Sequence, residues 1–316
     1  MKVPDYYRRH NIQHWSHSKL SSPMQIFVAE WMWRQPLFFA AKRDAARGDA
    51  EAEMRAAHYD RPRVVQMLAG TAVHAAAFSI FNGEEDAAAA TRHAVSRCQS
   101  HEPPAWNERD KKLTDHLLSE DASRVVATIE HAADGLREAC VGANRVETEE
   151  EMWLELPGIE VPVKGYLDGR TSKLIVELKT KWDTVDSRSK AGFRSNSLPK
   201  SLDAVPADHI AQVALYQRMA TGDEACRLVY ANRGGYVVHE IEQDRLNEAI
   251  DQSLVTLRRR QRLLERNETF QDVCDSLDVD FSHWRWRDWP PQLLEEAKAA
   301  LAGDESAVPA GWRTSA

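Results

Sequence analysis

The sequence predicts a mixed α/β protein: a central sheet of about five strands flanked by helices, with further helical segments at both ends. Three changes of texture predict it. From about residue 20 to 140 the chain is rich in Ala, Leu, Glu and Arg, with apolar residues at three- and four-residue spacings, the period of one helix face. Near residue 146 this gives way to short runs of Val, Ile, Leu and Trp punctuated by Pro157-Gly158 and Asp168-Gly169, the pattern of successive strands. From about residue 243 helical spacing returns.

In chain order, residues 1–145 read as mainly helical, with Pro103 and Pro104 interrupting the helices and Gly135 and Gly142 marking a later loosening. Residues 146–240 read as the sheet core. Within it, the segment from Glu151 to Trp182 reads as consecutive strands, and the polar stretch 186–206 as a mobile loop. The segment from His209 to Ala220 reads as a helix, and the segment from Ala225 to Glu242 as two strands turning around Gly234 and Gly235. Residues 241–302 form a C-terminal helical part, in which Leu246, Ile250, Leu254, Leu257 and Leu264 mark the buried stripe of a long amphipathic helix; Arg258, Arg259 and Arg260 read as its solvated face. The expectation is one domain over 1–302 and a flexible tail over 303–316, where the chain is small, polar and Pro-containing.

With 316 residues, 43% hydrophobic and 28% charged, the chain has ample material for a core. No stretch approaches the roughly 18 apolar residues of a membrane span, and Met1 to Trp15 lacks the apolar run of a signal peptide, so a cytoplasmic location is expected. A net charge of −8 disfavours a protein coated in nucleic acid but permits a local basic groove on an acidic body. Cys98, Cys140, Cys226 and Cys274 form no C-x-x-C pair, which argues against a zinc ribbon or redox motif and for free thiols.

The chemistry concentrates around Asp168 and Glu177-Leu178-Lys179. On a strand, residues two apart share a face, so Glu177 and Lys179 point one way while Val176 and Leu178 enter the opposite apolar layer. Asp168 joins them from the neighbouring strand across a connection of Gly169 to Lys173. Two converging carboxylates make a hard oxygen site suited to Mg²⁺ or Mn²⁺, and the lysine supplies a cation where negative charge develops, as phosphodiester hydrolysis requires. Alternating charge on a solvated strand face is the competing reading. The apolar run Leu174-Ile175-Val176 tilts the balance, because charges at the end of a central strand are costly unless paired or ligating.

Four ordered motifs resemble those of the RecB-like nucleases of the PD-(D/E)XK superfamily, a group that includes phage-type exonucleases. Gly70-Thr71-Ala72-Val73-His74 is similar to the family's G-x-x-x-H, and Gly165-Tyr166-Leu167-Asp168 to its G-x-x-D. Glu177-Leu178-Lys179 is similar to its acidic-x-K, and Gln212-Val213-Ala214-Leu215-Tyr216 to its Q-x-x-x-Y. The resemblance spans residues 70–216, with a looser likeness in the Ser-rich segment Ser16 to Pro36. It implies a restriction-endonuclease-like core in which His74, Asp168, Glu177 and the backbone carbonyl of Leu178 ligate the metal. Asp168, Glu177, Lys179, Gln212 and Tyr216 then make up the catalytic set. It further implies a DNA exonuclease acting on duplex ends, 5′ to 3′, in phage-type recombination or DNA processing, working as a homo-oligomer beside a single-strand annealing protein. A branch of the family carries an iron-sulfur cluster held by one early and three late cysteines; this chain has no cysteine before Cys98 and only Cys274 near its end, so no cluster is expected.

Other readings stand beside these. His74, among Ala72, Val73, Ala75, Ala76 and Ala77, also reads as a hydrogen-bonded core histidine, and Tyr216 as core with Gln212 at the surface. Arg188, Lys190, Arg194 and Lys200, with no acid among residues 187–200, read as a DNA-binding loop or as a merely solvated one. Trp284, Trp286 and Trp289 alternate with Arg285 and Arg287 and read as packing over a core edge, with base stacking as the minority reading. A structure-specific or single-strand endonuclease, and a catalytically idle DNA-binding module, are the competing functions.

Overall fold

Several helix starts in this chain are set by short polar side chains. The computed structural model describes residues 3–220, 222–304 and 307. Helices α1 (Asp5–Arg9), α2 (His17–Ser21), α3 (Met24–Phe27), α4 (Gln35–Ala45) and α5 (Ala50–Tyr59) come first, with a π-helix, Val28–Arg34, between α3 and α4. Then follow α6 (Val65–Phe81), α7 (Ala87–Gln99) and α8 (Glu108–Ala139). Asp49 accepts from the N–H groups of Glu51 and Ala52, Asp86 from Ala89, and Asn107 from Asp110, each satisfying orphan donors of a first turn. Helix α6 has no cap of its own. Its Val65 N–H is instead taken, at 2.7 Å, by the buried Asp110 carboxylate, whose other oxygen faces His101 Nε2 at 2.8 Å.

The strands are β1 (Glu147–Leu154), β2 (Val163–Arg170), β3 (Leu174–Thr180), β4 (Thr184–Val185), β5 (Phe193–Arg194), β6 (Ala225–Asn232) and β7 (Gly235–Ile241). Five of them form a mixed sheet in the order β1-β2-β3-β6-β7, the strand number the sequence leads one to expect, flanked by helices. β2 and β3 are antiparallel, β3 and β6 parallel through α9 (Ala207–Met219), and β6 and β7 antiparallel. The turn between β2 and β3 is shorter than expected. Gly169 and Arg170 pair with Val176 and Ile175, leaving Thr171-Ser172-Lys173 to make it.

Described residues fall into two compact units, one within Met1–Pro62, Trp153–Lys164 and Gln252–Ala316, the other within Arg63–Met152 and Gly165–Asp251. In the second, Leu174, Val176 and Leu178 of β3 and Val229 and Ala231 of β6 pack with α6, α7 and α8 in one apolar cluster. Gly135 does not loosen α8. It lies inside that helix, where a Cβ would come within 2.6 Å of Val229 Cγ1, so its missing side chain lets α8 close on the sheet. Gly142, with φ +88°, follows the end of α8 in the left-handed conformation a non-glycine residue adopts only with strain. The break in α8 is elsewhere, at Ser119 to Ala122, whose backbone is not helical.

In the first unit, Tyr7, Ile12, Trp15, Phe27 and Trp33 are buried, and Trp15 bridges to Val163. Helix α10 (Gln243–Arg266), of which the part from Gln252 on belongs to this unit, is the long amphipathic helix the Leu spacing predicts, with Leu257 and Leu264 fully buried. Arg258 and Arg259 are exposed, but Arg260 departs from the solvated-face expectation. It is buried and donates to the carbonyls of Lys19, Leu20 (3.1 Å) and Ser22 (2.5 Å), satisfying the end of α2, while its guanidinium lies over the Phe27 ring at 4.6 Å. After α11 (Phe270–Asp275), Trp286 and Trp289 are buried against each other and Trp284 is exposed, and α12 (Pro291–Leu301) follows. Most of the expected flexible tail, 303–316, lies outside the described residues. No helix among the described residues is long and apolar enough to cross a membrane.

Candidate active site

Asp168 sits near the end of β2 and Glu177 and Lys179 on β3, all in the second unit. One step beyond the Gly169–Val176 pairing, the Leu178 backbone N–H donates to Asp168 Oδ2 at 3.0 Å, so a carboxylate oxygen takes a strand donor and the side chain is locked in place. Because β3 alternates, Leu178 enters the core with Val176 while Glu177 and Lys179 face α9. There Lys179 Nζ donates to Glu177 Oε1 at 2.7 Å and to Gln212 Oε1 at 2.7 Å. The Gln212 amide in turn donates to Glu177 Oε1 at 2.7 Å and to the Tyr216 hydroxyl at 2.8 Å. Gln212 and Tyr216, one helical turn apart, therefore act on the same carboxylate from one face of α9.

Two glycines make these approaches possible. A Cβ at Gly165 would stand 2.6 Å from Tyr216 Cε1 and 3.0 Å from Met219 Sδ, so only glycine lets α9 lie on β2. A Cβ at Gly70 would stand 3.2 Å from Thr180 Oγ1, so its absence brings α6 against the end of β3. One turn on, His74 Nε2 reaches 3.1 Å from Asp168 Oδ2, near enough to pair in charge but not aligned for a hydrogen bond. All six side chains named by the sequence motifs are thereby brought together. His74, Asp168, Glu177, Leu178, Lys179 and Gln212 line one open cleft of about 550 Å³, with Tyr216 buried behind Gln212.

The electrostatics describe two buried carboxylates, each paired with one cation and each opposing the other's ionisation. Burial and the Asp168 charge push the Glu177 carboxyl up to about 8, although Lys179 pulls the other way. Asp168 stays below the ordinary carboxylate range: burial, the largest influence, opposes ionisation, but His74, Lys179 and the Leu178 N–H together outweigh it. Burial works to lower both cations, yet Asp168 holds His74 above its usual range and Glu177 does the same for Lys179. Glu177, 1% exposed, leaves its Oε2 without any hydrogen-bond partner, and His74 Nε2 has none either. Buried polar atoms left unsatisfied are rare and costly. An oxygen and an imidazole nitrogen left open beside Asp168 fit a hard divalent cation. Among the described residues no three His, Cys, Asp or Glu side chains stand at metal-ligand spacing.

Glu149 is a cleft residue the sequence did not single out. It lines the cleft with a φ of +52°, a conformation costly for a residue with a side chain, and its charge adds to that of Asp168 in favouring protonated His74. In the run Glu147 to Glu151 nothing marks it off from its neighbours. Tyr166 also lines the cleft, its hydroxyl donating to Glu151 at 2.8 Å.

The basic stretch is more ordered than a plain loop. β4 and β5 form a short hairpin in which Asp186 N–H donates to the Gly192 carbonyl. Phe193 stacks on His116 at 3.8 Å, His116 pairs with the buried Asp183 at 2.8 Å, and Asn196 donates to the Trp182 carbonyl. Arg188, Lys190, Arg194 and Lys200 are all exposed on this anchored segment. Cys98, Cys140, Cys226 and Cys274 are buried free thiols, pushed up to about 11 or 12 by desolvation.

No family model matches this sequence, and no curated protein matches it. Among solved structures it is similar to a presumed exonuclease from Eubacterium rectale, at 14% identity over 84% of this chain and 87% of that one, with a TM-score of 0.40. It is also similar to the protein SSO0001, at 18% identity over 52% of this chain and 83% of that one, with a TM-score of 0.24. At TM-scores this low neither likeness bears on what the chain does.

Proposed function

We propose that this chain is a metal-dependent DNA nuclease of the RecB-like, PD-(D/E)XK kind. The observation that carries the reading is the network of Asp168, Glu177, Lys179 and Gln212 at the floor of an open cleft, with Glu177 Oε2 buried and unsatisfied. Asp168, Glu177, the Leu178 carbonyl and His74 would hold Mg²⁺ or Mn²⁺, which supplies the Lewis acidity that phosphodiester hydrolysis uses. Lys179 presents an ammonium to the cleft, where it steadies charge building on the phosphate in the transition state. Gln212 and Tyr216 are positioning residues: they hold Glu177 and Lys179 in place rather than meeting the DNA. His74 must lose its proton to ligate, so cation binding and release of the His74–Asp168 pairing are one event.

The exposed cations Arg188, Lys190 and Arg194, on a hairpin fixed by the Phe193–His116 stack, and Lys200 beyond it serve as a phosphate-binding rim. Within this reading the substrate is duplex DNA attacked from its ends, 5′ to 3′. A homo-oligomer and a single-strand annealing partner fit a role in phage-type recombination. An endonuclease on the same site is the enzymatic alternative, and an idle binding module the other. The deciding experiment incubates wild type and Lys179→Ala with end-labelled linear duplex and covalently closed circular DNA in Mg²⁺, Mn²⁺ or EDTA. Metal-dependent loss of linear DNA alone, abolished by Lys179→Ala, supports the exonuclease. Cutting of circles selects the endonuclease, and no cutting under any condition overturns the nuclease reading.

A further inference from the structure

A second cavity, of about 500 Å³, lies wholly within the first unit and takes no part in the site described above. Its wall is built from one continuous face. Trp31 on the π-helix, then Gln35, Phe39 and Arg43 on α4, follow at intervals of four and so stack along one side. Single π-turns are uncommon and recur at functional sites. Here the wide turn carries Trp31, while Glu30 and Arg34 of the same helix are buried and paired at 2.5 Å.

The lining is cationic without compensation. Lys19, Lys42 and Arg43 border the cavity, and no Asp or Glu does. Lys19 is only 8% exposed, and its ammonium donates to the His14 carbonyl at 2.7 Å. Desolvation, with no carboxylate beside it, holds that ammonium down at about 8. A buried cation facing a cavity without an acid is what an anionic ligand satisfies. Phe39, 53% exposed, leaves its ring open to a ligand, and the Gln13 amide lies on the same wall, while the Gln35 amide donates to Glu30 Oε1 at 3.3 Å.

From these features we infer that the cavity binds a nucleotide, its base stacked on Trp31 or Phe39 and its phosphate held by Lys19, Lys42 and Arg43. Aromatic platforms with adjoining lysines and arginines are how proteins take hold of unpaired nucleotides of any sequence, and the volume suits a small ligand of this size. The inference stands apart from the nuclease reading, since none of its residues belongs to the Asp168–Glu177 cleft. The nucleotide is either free or part of a single strand.

The test is isothermal titration of the full chain in EDTA with thymidine monophosphate, alongside fluorescence anisotropy of a labelled oligothymidylate. Wild type is expected to bind, and Trp31→Ala, Phe39→Ala and Arg43→Glu each to weaken binding at least roughly fivefold. Phe39 and Arg43 are exposed, so those variants test the pocket even where loss of Trp31 unfolds it. Sensitivity of the monophosphate assigns the pocket to free nucleotides, and sensitivity of the oligonucleotide alone assigns it to a strand. Binding of neither ligand, or binding indifferent to all three substitutions, overturns the inference.

Discussion

Replacing Glu177 by Gln should make the metal-free protein relatively more stable as pH rises while abolishing DNA cleavage. Glu177 has a folded-state pKa of about 8 against an ordinary 4.5, because burial and Asp168 oppose its ionisation. A raised pKa of this kind contributes stability that is complete below pH 4.5 and is lost as pH climbs through 8. Glutamine carries no such dependence. From pH 6 to pH 9 the wild type should therefore lose roughly 3 kcal/mol relative to Glu177→Gln. The glutamine amide set in the unpartnered Oε2 position costs about 1–3 kcal/mol, but equally at every pH, so it displaces the two curves without changing their divergence. Urea titrations in EDTA at four pH values read the effect; groups remote from the site cancel in the difference, while His74 and Lys179, whose pKa values Glu177 raises, shift with it. Adding Mn²⁺ should stabilise the wild type and flatten its pH dependence, and should act weakly on the variant. Parallel pH profiles for the two proteins would refute the claim that burial and Asp168 oppose the ionisation of Glu177.

Three further outcomes follow from particular contacts. Neutralising Arg188, Lys190, Arg194 and Lys200 together should weaken DNA binding and flatten the slope of its salt dependence by roughly 3 in logarithmic units, measured by anisotropy from low to moderate salt; an unchanged slope excludes this rim. Gly165→Ala puts a methyl 2.6 Å from Tyr216, so it should cost about 1–3 kcal/mol and depress cleavage by disturbing the Tyr216–Gln212–Glu177 chain, with wild-type turnover as the contrary result. Arg260→Met should destabilise the chain by roughly 2–4 kcal/mol in urea, because the carbonyls of Lys19, Leu20 and Ser22 lose a charged donor while volume is kept. A change below about 0.5 kcal/mol would mean that water replaces the guanidinium there.

The legible parts were those in which local pattern and tertiary need coincide. The apolar run Leu174-Ile175-Val176 lies in a central strand, buried on both faces of the sheet, and its parity puts Glu177 and Lys179 on the face opposite Val176. The four-residue interval between Gln212 and Tyr216 likewise places both on one side of α9. Where chain-distant partners decide, periodicity misleads. Arg260 carries the same sequence signature as Arg258 and Arg259, yet it is buried because the end of a helix some 240 residues earlier needs a donor. Gly135 looks like a break and is a contact, because only the sheet supplies the Val229 side chain that forbids a Cβ.

By itself the sequence determined the main helical and strand regions, their order, and the shared face of Glu177 and Lys179 and of Gln212 and Tyr216, since these depend on covalent geometry and on spacing along one segment. Only the tertiary structure decided that Asp168 takes the Leu178 N–H, that Gln212 bridges Glu177, Lys179 and Tyr216, and that Glu149 joins the cleft. It alone also set Trp31 and Phe39 beside an unneutralised lysine. Distances of a few ångströms between residues far apart in the chain, and the desolvation that comes with them, arise from packing and have no counterpart in local pattern.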